Sequence, residues 1–251
     1  MITTAVHTVA PGISLHCRVA GPPGAPTLLF LHGFPEGAFV WDALLTHFSL
    51  PENGGYRCVA PWLRGFGPSS APADAKDYRP KHLVQDILAL SAIESPDAPL
   101  ACLVAHDWGG AVAWNTANQF PQQMQRLAII NSPHPGTFLR ELQTSPAQQA
   151  ASAYMNFLIR PDAESLLAAN DFQRMWRFLN RPDGTPPAWL DDATRALEHW
   201  PDDLEAMGER GYACKELGRT KEAIRDFDQV LKVNPKSASI LRYRAEARNL
   251  Q

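Results

Sequence analysis

Residues 104–110 read Val-Ala-His-Asp-Trp-Gly-Gly. The apolar run Leu100 to Ala105 predicts a buried strand, and Ala111 to Phe120 predicts a helix. Between them lie Ala105, a spacer, Asp107, a second spacer and Gly109. Small residues two positions either side of a candidate nucleophile mark a sharp strand-to-helix turn that lifts one side chain clear of the backbone. The apex holds an acid where a serine hydroxyl is more familiar. A carboxylate attacks saturated carbon and leaves an ester, which moves the chemistry from acyl compounds to epoxides or alkyl halides.

Working outward, short apolar runs alternate with helical patterns through the first half. Ile13–Ala20 alternates as a strand does, and Thr27–Leu31 is continuously apolar, as in a strand buried on both faces. Phe39–Phe48 reads as a helix and Arg57–Ala60 as a strand. Leu83, Val84, Ile87, Leu88 and Leu90 fall at helical spacing, and Leu127–Ile130 is a further strand. Such alternation indicates a parallel α/β sheet. After Pro135 the signals turn helical, over 147–159, 163–170, 172–179 and 188–200, as expected of a helical insertion above the sheet.

A third pattern begins near Pro201. Two helical runs, 204–217 and 220–233, carry Ala213, Gly218, Ala223, Phe227 and Pro235 at positions matching a tetratricopeptide repeat of about 34 residues. Residues 238–250 resemble the first helix of another repeat. Stable arrays need about three repeats, so this tail must pack on something else or associate with another chain. A generic amphipathic hairpin is the plainer reading.

Composition bounds the function. Among 251 residues, 45% are hydrophobic and 20% charged, as in ordinary globular proteins. A net charge of −3 offers no basic face for nucleic acid and no polybasic membrane patch. No run approaches the ~20 apolar residues of a membrane span. Neither a basic-then-apolar leader nor a CxxC pair is present, so a cytoplasmic protein with buried free thiols at Cys17, Cys58, Cys102 and Cys214 is expected.

Three segments belong with the elbow. Leu31-His32-Gly33-Phe34-Pro35-Glu36 follows a buried strand, and the Phe34 N–H there can face the N–H of Trp108 as a pair of oxyanion donors. The positive end of the following helix suits an ionised Asp107. The others are the glycine-rich Arg64-Gly65-Phe66-Gly67-Pro68-Ser69 and Asn131-Ser132-Pro133-His134-Pro135. In this combination, over about the first 195 residues, the chain resembles a soluble epoxide hydrolase of the α/β-hydrolase superfamily. The resemblance implies attack of Asp107 on an oxirane carbon, then hydrolysis of the ester by water that a histidine activates and an acid orients. It also implies a cis Phe34–Pro35 bond and two cap tyrosines that polarise the epoxide oxygen, Tyr154 matching the first. Related dehalogenases share the elbow. Those acting on fluoroacetate carry arginines shortly after the nucleophile, absent over 108–117, and haloalkane dehalogenases usually show Asn where Phe34 stands.

Blander readings stand beside these. Asp107 also serves as a structural elbow in a chain without activity, and Tyr154 as an ordinary amphipathic residue. His32, His106 and His134 read as braces for the loops near the site, and Trp41, Trp176 and Trp189 as core. The base histidine and its acid are expected after the cap, yet no histidine follows His199, which ends a helix at the cap–tail junction, and no second cap tyrosine has a match. The expected architecture is therefore α/β: a truncated α/β-hydrolase core over 1–140 and a partial helical cap over 141–200, followed by an all-α tetratricopeptide-like hairpin over 201–251. The strand 127–130 then leaves an exposed sheet edge. The sequence calls for no metal or cofactor. Its expected partners are a small-molecule epoxide or alkyl halide at Asp107, and another protein or a second copy at 201–251.

Overall fold

A computed structural model of the chain describes residues 1–169, 204–216 and 220–250. The chain divides into two compact units, 1–152 and 153–251.

The first unit is built on a six-stranded sheet: β1 (Thr3–Ala10), β2 (Ile13–Ala20), β3 (Thr27–Leu31), β4 (Arg57–Pro61), β5 (Cys102–His106) and β6 (Leu127–Ile130). Their spatial order is β1-β2-β4-β3-β5-β6. Strands β4, β3, β5 and β6 run parallel, while β2 joins β1 and β4 antiparallel. Helices α1 (Asp42–Ser49), α2 (Pro80–Glu94) and α3 (Asp107–Gln119) make the crossovers. Strand alternation sorts the core into two layers. Leu15, Leu29, Leu31, Val59, Leu103 and Ala105 pack against Ile87 and Leu90 of α2 and Val112 of α3. Their neighbours Leu28, Phe30, Cys58 and Ala60 pack against Trp41 and Leu45 on the other face. The sheet is thus covered on both faces, which accounts for the unbroken apolar run Thr27–Leu31, buried at every residue.

The expected strands and the helices of the first half are present with small shifts at their ends. β1 is the strand that pattern reading passes over. It pairs along β2 from Thr3 to Ala10, but as an edge strand it has no fully buried residue, so it carries no strong apolar period. Helix α3 starts at Asp107 itself, four residues before the expected Ala111. Helix α4 (Pro135–Thr144) was likewise unread; His134 Nδ1 accepts from the Gly136 N–H to cap it, and none of its residues is buried. It spans residue 140, where a core–cap boundary was expected. The expected helix 147–159 is two: α5 (Pro146–Ala151), capped by Ser145, and α6 (Ala153–Leu158). Ser152 leaves the regular helix at ψ 2 and its hydroxyl meets the Gln148 amide at 2.9 Å.

In the second unit a helical run over 163–169 follows α6, and the expected helices 172–179 and 188–200 lie outside the described residues, as do Trp176, Trp189 and His199. Three further helices, α7 (Leu204–Glu216), α8 (Thr220–Val233) and α9 (Ala238–Asn249), share a core of Cys214, Ala223, Phe227, Val230, Leu231, Ile240 and Ala247. A Cβ on Gly211 would lie 2.8 Å from Phe227 Cε1, so the glycine lets that ring seat against α7. All four cysteines are free, and three of them are buried. No helix among the described residues is long and apolar enough to cross a membrane.

One buried ion pair fixes the loop after β4. Arg64 grips Asp86 of α2 with two bonds of 2.8 and 2.6 Å and donates a third to Asp77 O at 2.8 Å. The two side chains are 6% and 4% exposed. Asp86→Ala leaves a buried guanidinium unpaired, and a loss of about 3–5 kcal/mol is expected in urea unfolding; a loss under about 1 kcal/mol counts against a fixed pair.

Candidate active site

The strand order places the site. From β3 the chain crosses to β4 on one side, and from β5 it crosses to β6 on the other. Open α/β sheets bind ligands beyond the carboxyl ends of their strands at such a switch point. Phe34 and Asp107 follow the ends of β3 and β5, which are hydrogen-bonded neighbours.

Asp107 has φ 46°, a left-handed conformation rare outside glycine. Strain of this kind costs about 1–3 kcal/mol and persists only where the surroundings impose it. Two consecutive glycines supply the imposition. A Cβ on Gly109 would lie 2.5 Å from His32 O and 2.6 Å from Leu31 O, so α3 can sit directly on the end of β3 only with hydrogen there. A Cβ on Gly110 would lie 2.3 Å from Ser132 Cβ. The loop after β6 closes on that side, and Trp114 Nε1 donates to Ser132 O at 3.2 Å. The segment Asn131–Pro135 therefore seats the elbow helix.

From the β3 side, Gly33 comes so near that its own Cβ would lie 2.5 Å from Asp107 Cβ. That approach brings the Phe34 N–H to Asp107 Oδ1 at 3.0 Å. The Phe34–Pro35 bond is cis. Trp108 lies in the first turn of α3, where backbone N–H groups have no intrahelical acceptor. Its side chain is 51% exposed and that of Phe34 40%. Phe34, Asp107 and Trp108 are thus brought together. Tyr154 lies on α6 in the other unit and is 45% exposed.

The histidines near the elbow are engaged elsewhere. His32 is fully buried. It bonds Gly33 O through Nδ1 at 2.8 Å and accepts the Leu63 N–H at Nε2 at 3.1 Å. The imidazole is therefore neutral with its proton on Nδ1, and burial pushes its pKa below the ordinary 6.5. His106 Nδ1 meets Glu36 Oε2 at 2.9 Å, tying the strand before the nucleophile to the loop that carries Phe34. That pairing has no sequence signal, since the two residues belong to different motifs. The loop 64–69 is also structural: Ser69 Oγ accepts the His16 N–H at 2.9 Å and donates to Trp62 O at 2.7 Å. Among the described residues no imidazole nitrogen comes within ion-pairing distance of the Asp107 carboxylate, and no cluster of His, Cys, Asp and Glu has metal-ligand geometry.

Protonating His32 would set a second N–H against the Leu63 N–H. Because its folded pKa lies below 6.5, the unfolded chain takes the proton first as pH falls. Stability is expected to decline as pH drops below that value. Denaturation midpoints measured between about pH 7 and pH 5 check this, and His32→Gln flattens that part of the profile. An equally steep profile in the variant overturns the assignment.

The comparisons with known proteins agree with this geometry. Residues 26–198 match the family model described as alpha/beta hydrolase fold. The "AB hydrolase superfamily protein YfhM" of Bacillus subtilis is 33% identical over 199 residues, covering 78% of this chain and 68% of that one. "Epoxide hydrolase 3" of Xenopus tropicalis is 38% identical over 189 residues, 75% of this chain and 47% of that one. A crystal structure of a Bacillus megaterium epoxide hydrolase in complex with an inhibitor superposes with a TM-score of 0.63 at 30% identity, covering 70% of this chain and 58% of that one. The chain thus spans about half the length of several epoxide hydrolases it matches, 44% in the case of mouse epoxide hydrolase 4. A mixed sheet with an acid-bearing elbow at the switch point of its parallel strands, matched over most of the chain by these relatives, places the chain in the alpha/beta hydrolase fold family, with epoxide hydrolases among its homologues.

Proposed function

We propose that Asp107 is the nucleophile of an epoxide-opening half-reaction. The observation that carries the reading is the Asp107 carboxylate at the elbow apex with Oδ1 already held by the Phe34 N–H at 3.0 Å. The other oxygen, Oδ2, is then the one left to attack. It bonds to an oxirane carbon, the ring C–O bond breaks, and the electron pair leaves on oxygen as an alkoxide. The alkoxide then needs a proton, the role that the family resemblance gives to a cap phenol, with Tyr154 the candidate by sequence position. In the resulting ester, Oδ1 is the carbonyl oxygen. The Phe34 N–H, joined by that of Trp108, faces the place where charge develops when water attacks.

That second step needs a base. His32 uses both ring nitrogens, and among the described residues no imidazole pairs with the Asp107 carboxylate, so on this reading the ester is expected to persist. Incubation with styrene oxide should add one epoxide mass to the intact protein, mapping to the peptide that contains Asp107 and absent in Asp107→Asn. Sustained diol production dependent on Asp107 would show that a base is present and overturn the half-reaction. No adduct from either an epoxide or a primary alkyl halide would leave Asp107 a structural elbow. Labelling by the halide alone would favour a dehalogenase-like hydrolase.

A second reading rests on a different observation, the separate core of α7, α8 and α9. Ala223 and Ala247 are fully buried and Gly211 admits Phe227, the small-against-large packing of a tetratricopeptide-like hairpin. In this reading residues 201–251 bind a protein partner or a second copy, and the hydrolase core is a scaffold. Association that is lost on deleting 201–251 yet unchanged in Asp107→Asn favours it.

A further inference from the structure

The sheet ends at β6, and among the described residues nothing pairs with the outer side of that strand. The register with β5 fixes which of its backbone groups face out. Leu103 lies opposite Leu127 and donates its N–H to Arg126 O at 3.0 Å. Parallel pairing continues on alternate residues, so Arg126, Ala128 and Ile130 spend their groups on β5. Leu127 and Ile129 turn theirs outward. Side chains alternate as well. Leu127 and Ile129 pack on the core, whereas Ala128 and Ile130 are exposed, Ile130 by 42%. The opposite edge of the sheet is protected. β1 carries Thr3, Thr4, His7 and Thr8 and breaks register between Thr8 and Ala10, and polar residues and bulges of this kind discourage edge pairing. β6 reads Leu-Ala-Ile-Ile in an even register and has neither guard.

We propose that β6 pairs antiparallel with β6 of a second copy of this chain, about a two-fold axis at Ala128. Three observations select a second copy. First, the outward groups match themselves. Leu127 of one copy faces Ile129 of the other, and the reverse, so two hydrogen-bonded pairs satisfy every outward N–H and C=O of both residues. Second, the axis falls on the smallest side chain of the strand. Opposed residues without mutual hydrogen bonds bring their Cα atoms to about 4.5 Å, and two alanines fit there. Third, the charges agree. Arg126 is the only Asp, Glu, Lys or Arg between residues 121 and 139. Antiparallel pairing sets the two Arg126 about 14 Å apart, beyond the ~8–10 Å reach of salt-screened charge, each opposite Ile130 of the other copy. Parallel pairing would stack them. A ladder of four residues is short against the ~800 Å² per partner that stable complexes bury, so α4 has to join the contact. It starts within about 18 Å of the strand's end, and its Leu139 is 57% exposed. The pairing is independent of the chemistry at Asp107.

Sedimentation of the full chain should show a monomer–dimer equilibrium. Hydrogen exchange of the Leu127 and Ile129 amides should slow at least tenfold from dilute to concentrated samples. Charge tests the register. Position 130 faces Arg126 of the other copy, so Ile130→Glu should associate at least fivefold more tightly than Ile130→Lys. Ala128→Arg sets two like charges at the axis and should weaken the dimer at least tenfold. Ala128→Cys should form an intermolecular disulfide under mild oxidation, joining two copies of the same peptide; this arm serves if Ala128→Arg does not fold. A monomer at every concentration overturns the proposal. So does a dimer that protects α7, α8 and α9 instead of residues 127 and 129, since the repeat-like helices then make the contact. Slow exchange of both amides in the dilute monomer also overturns it, because another part of the same chain then covers the edge. Equal affinities of Ile130→Glu and Ile130→Lys overturn the two-fold axis at Ala128.

Discussion

The left-handed backbone of Asp107 is the constraint on which the first unit turns. A non-glycine residue at φ 46° is held only if the chain on both sides of it is held. Before it, β5 is paired on both edges, with β3 and β6. After it, α3 is pressed onto the end of β3 at Gly109 and onto the loop after β6 at Gly110. The cost of the strained residue, about 1–3 kcal/mol, is offset by packing that any Cβ at these glycines would destroy. What the arrangement gains is position. The carboxylate is lifted into the switch-point crevice and one of its oxygens meets a backbone donor from the adjacent strand.

The same constraint explains why three loops far apart in sequence carry recognisable motifs. Residues 31–36 supply the carbonyls against which Gly109 rests and the N–H that holds Oδ1. Residues 131–135 supply Ser132, against which Gly110 rests. Residues 64–69 stand one step further out. Leu63, next to that loop, donates its N–H to His32, whose ring in turn holds Gly33 O. Each motif is a wall of the elbow, and the elbow is the only feature they share. His106 and Glu36 complete the set by tying the residue before the nucleophile to the oxyanion loop.

Much of this was legible because the signals are local. The strand Thr27–Leu31 announced itself by an unbroken apolar run, and the elbow by small residues flanking an acid. What escaped was set by tertiary contact. β1 is half exposed, so its strand character comes from pairing with β2 rather than from its own pattern. A cavity beside Trp108 is assembled from five separate stretches of chain, none of which marks itself as a wall. Asn131 at φ 47° repeats the left-handed geometry of Asp107 at the end of the next strand, just before the Ser132 that packs against Gly110.

Position and turnover are separate achievements, and the geometry around Asp107 accounts for the first. Holding a carboxylate at an elbow takes backbone geometry and glycines, all of it within residues 31–132 and all of it present. Hydrolysing an ester takes a neutral imidazole free to receive a proton. His32 uses both nitrogens to brace Gly33 and Leu63, and His134 accepts the Gly136 N–H at Nδ1 and meets Trp114 edge-on. Freeing His32 to act as a base would release Gly33, and with it the N–H that positions Oδ1. His32 therefore cannot both brace the elbow and serve a second step. If Asp107 is the nucleophile, as proposed, the base for its ester has to be a ring other than His32.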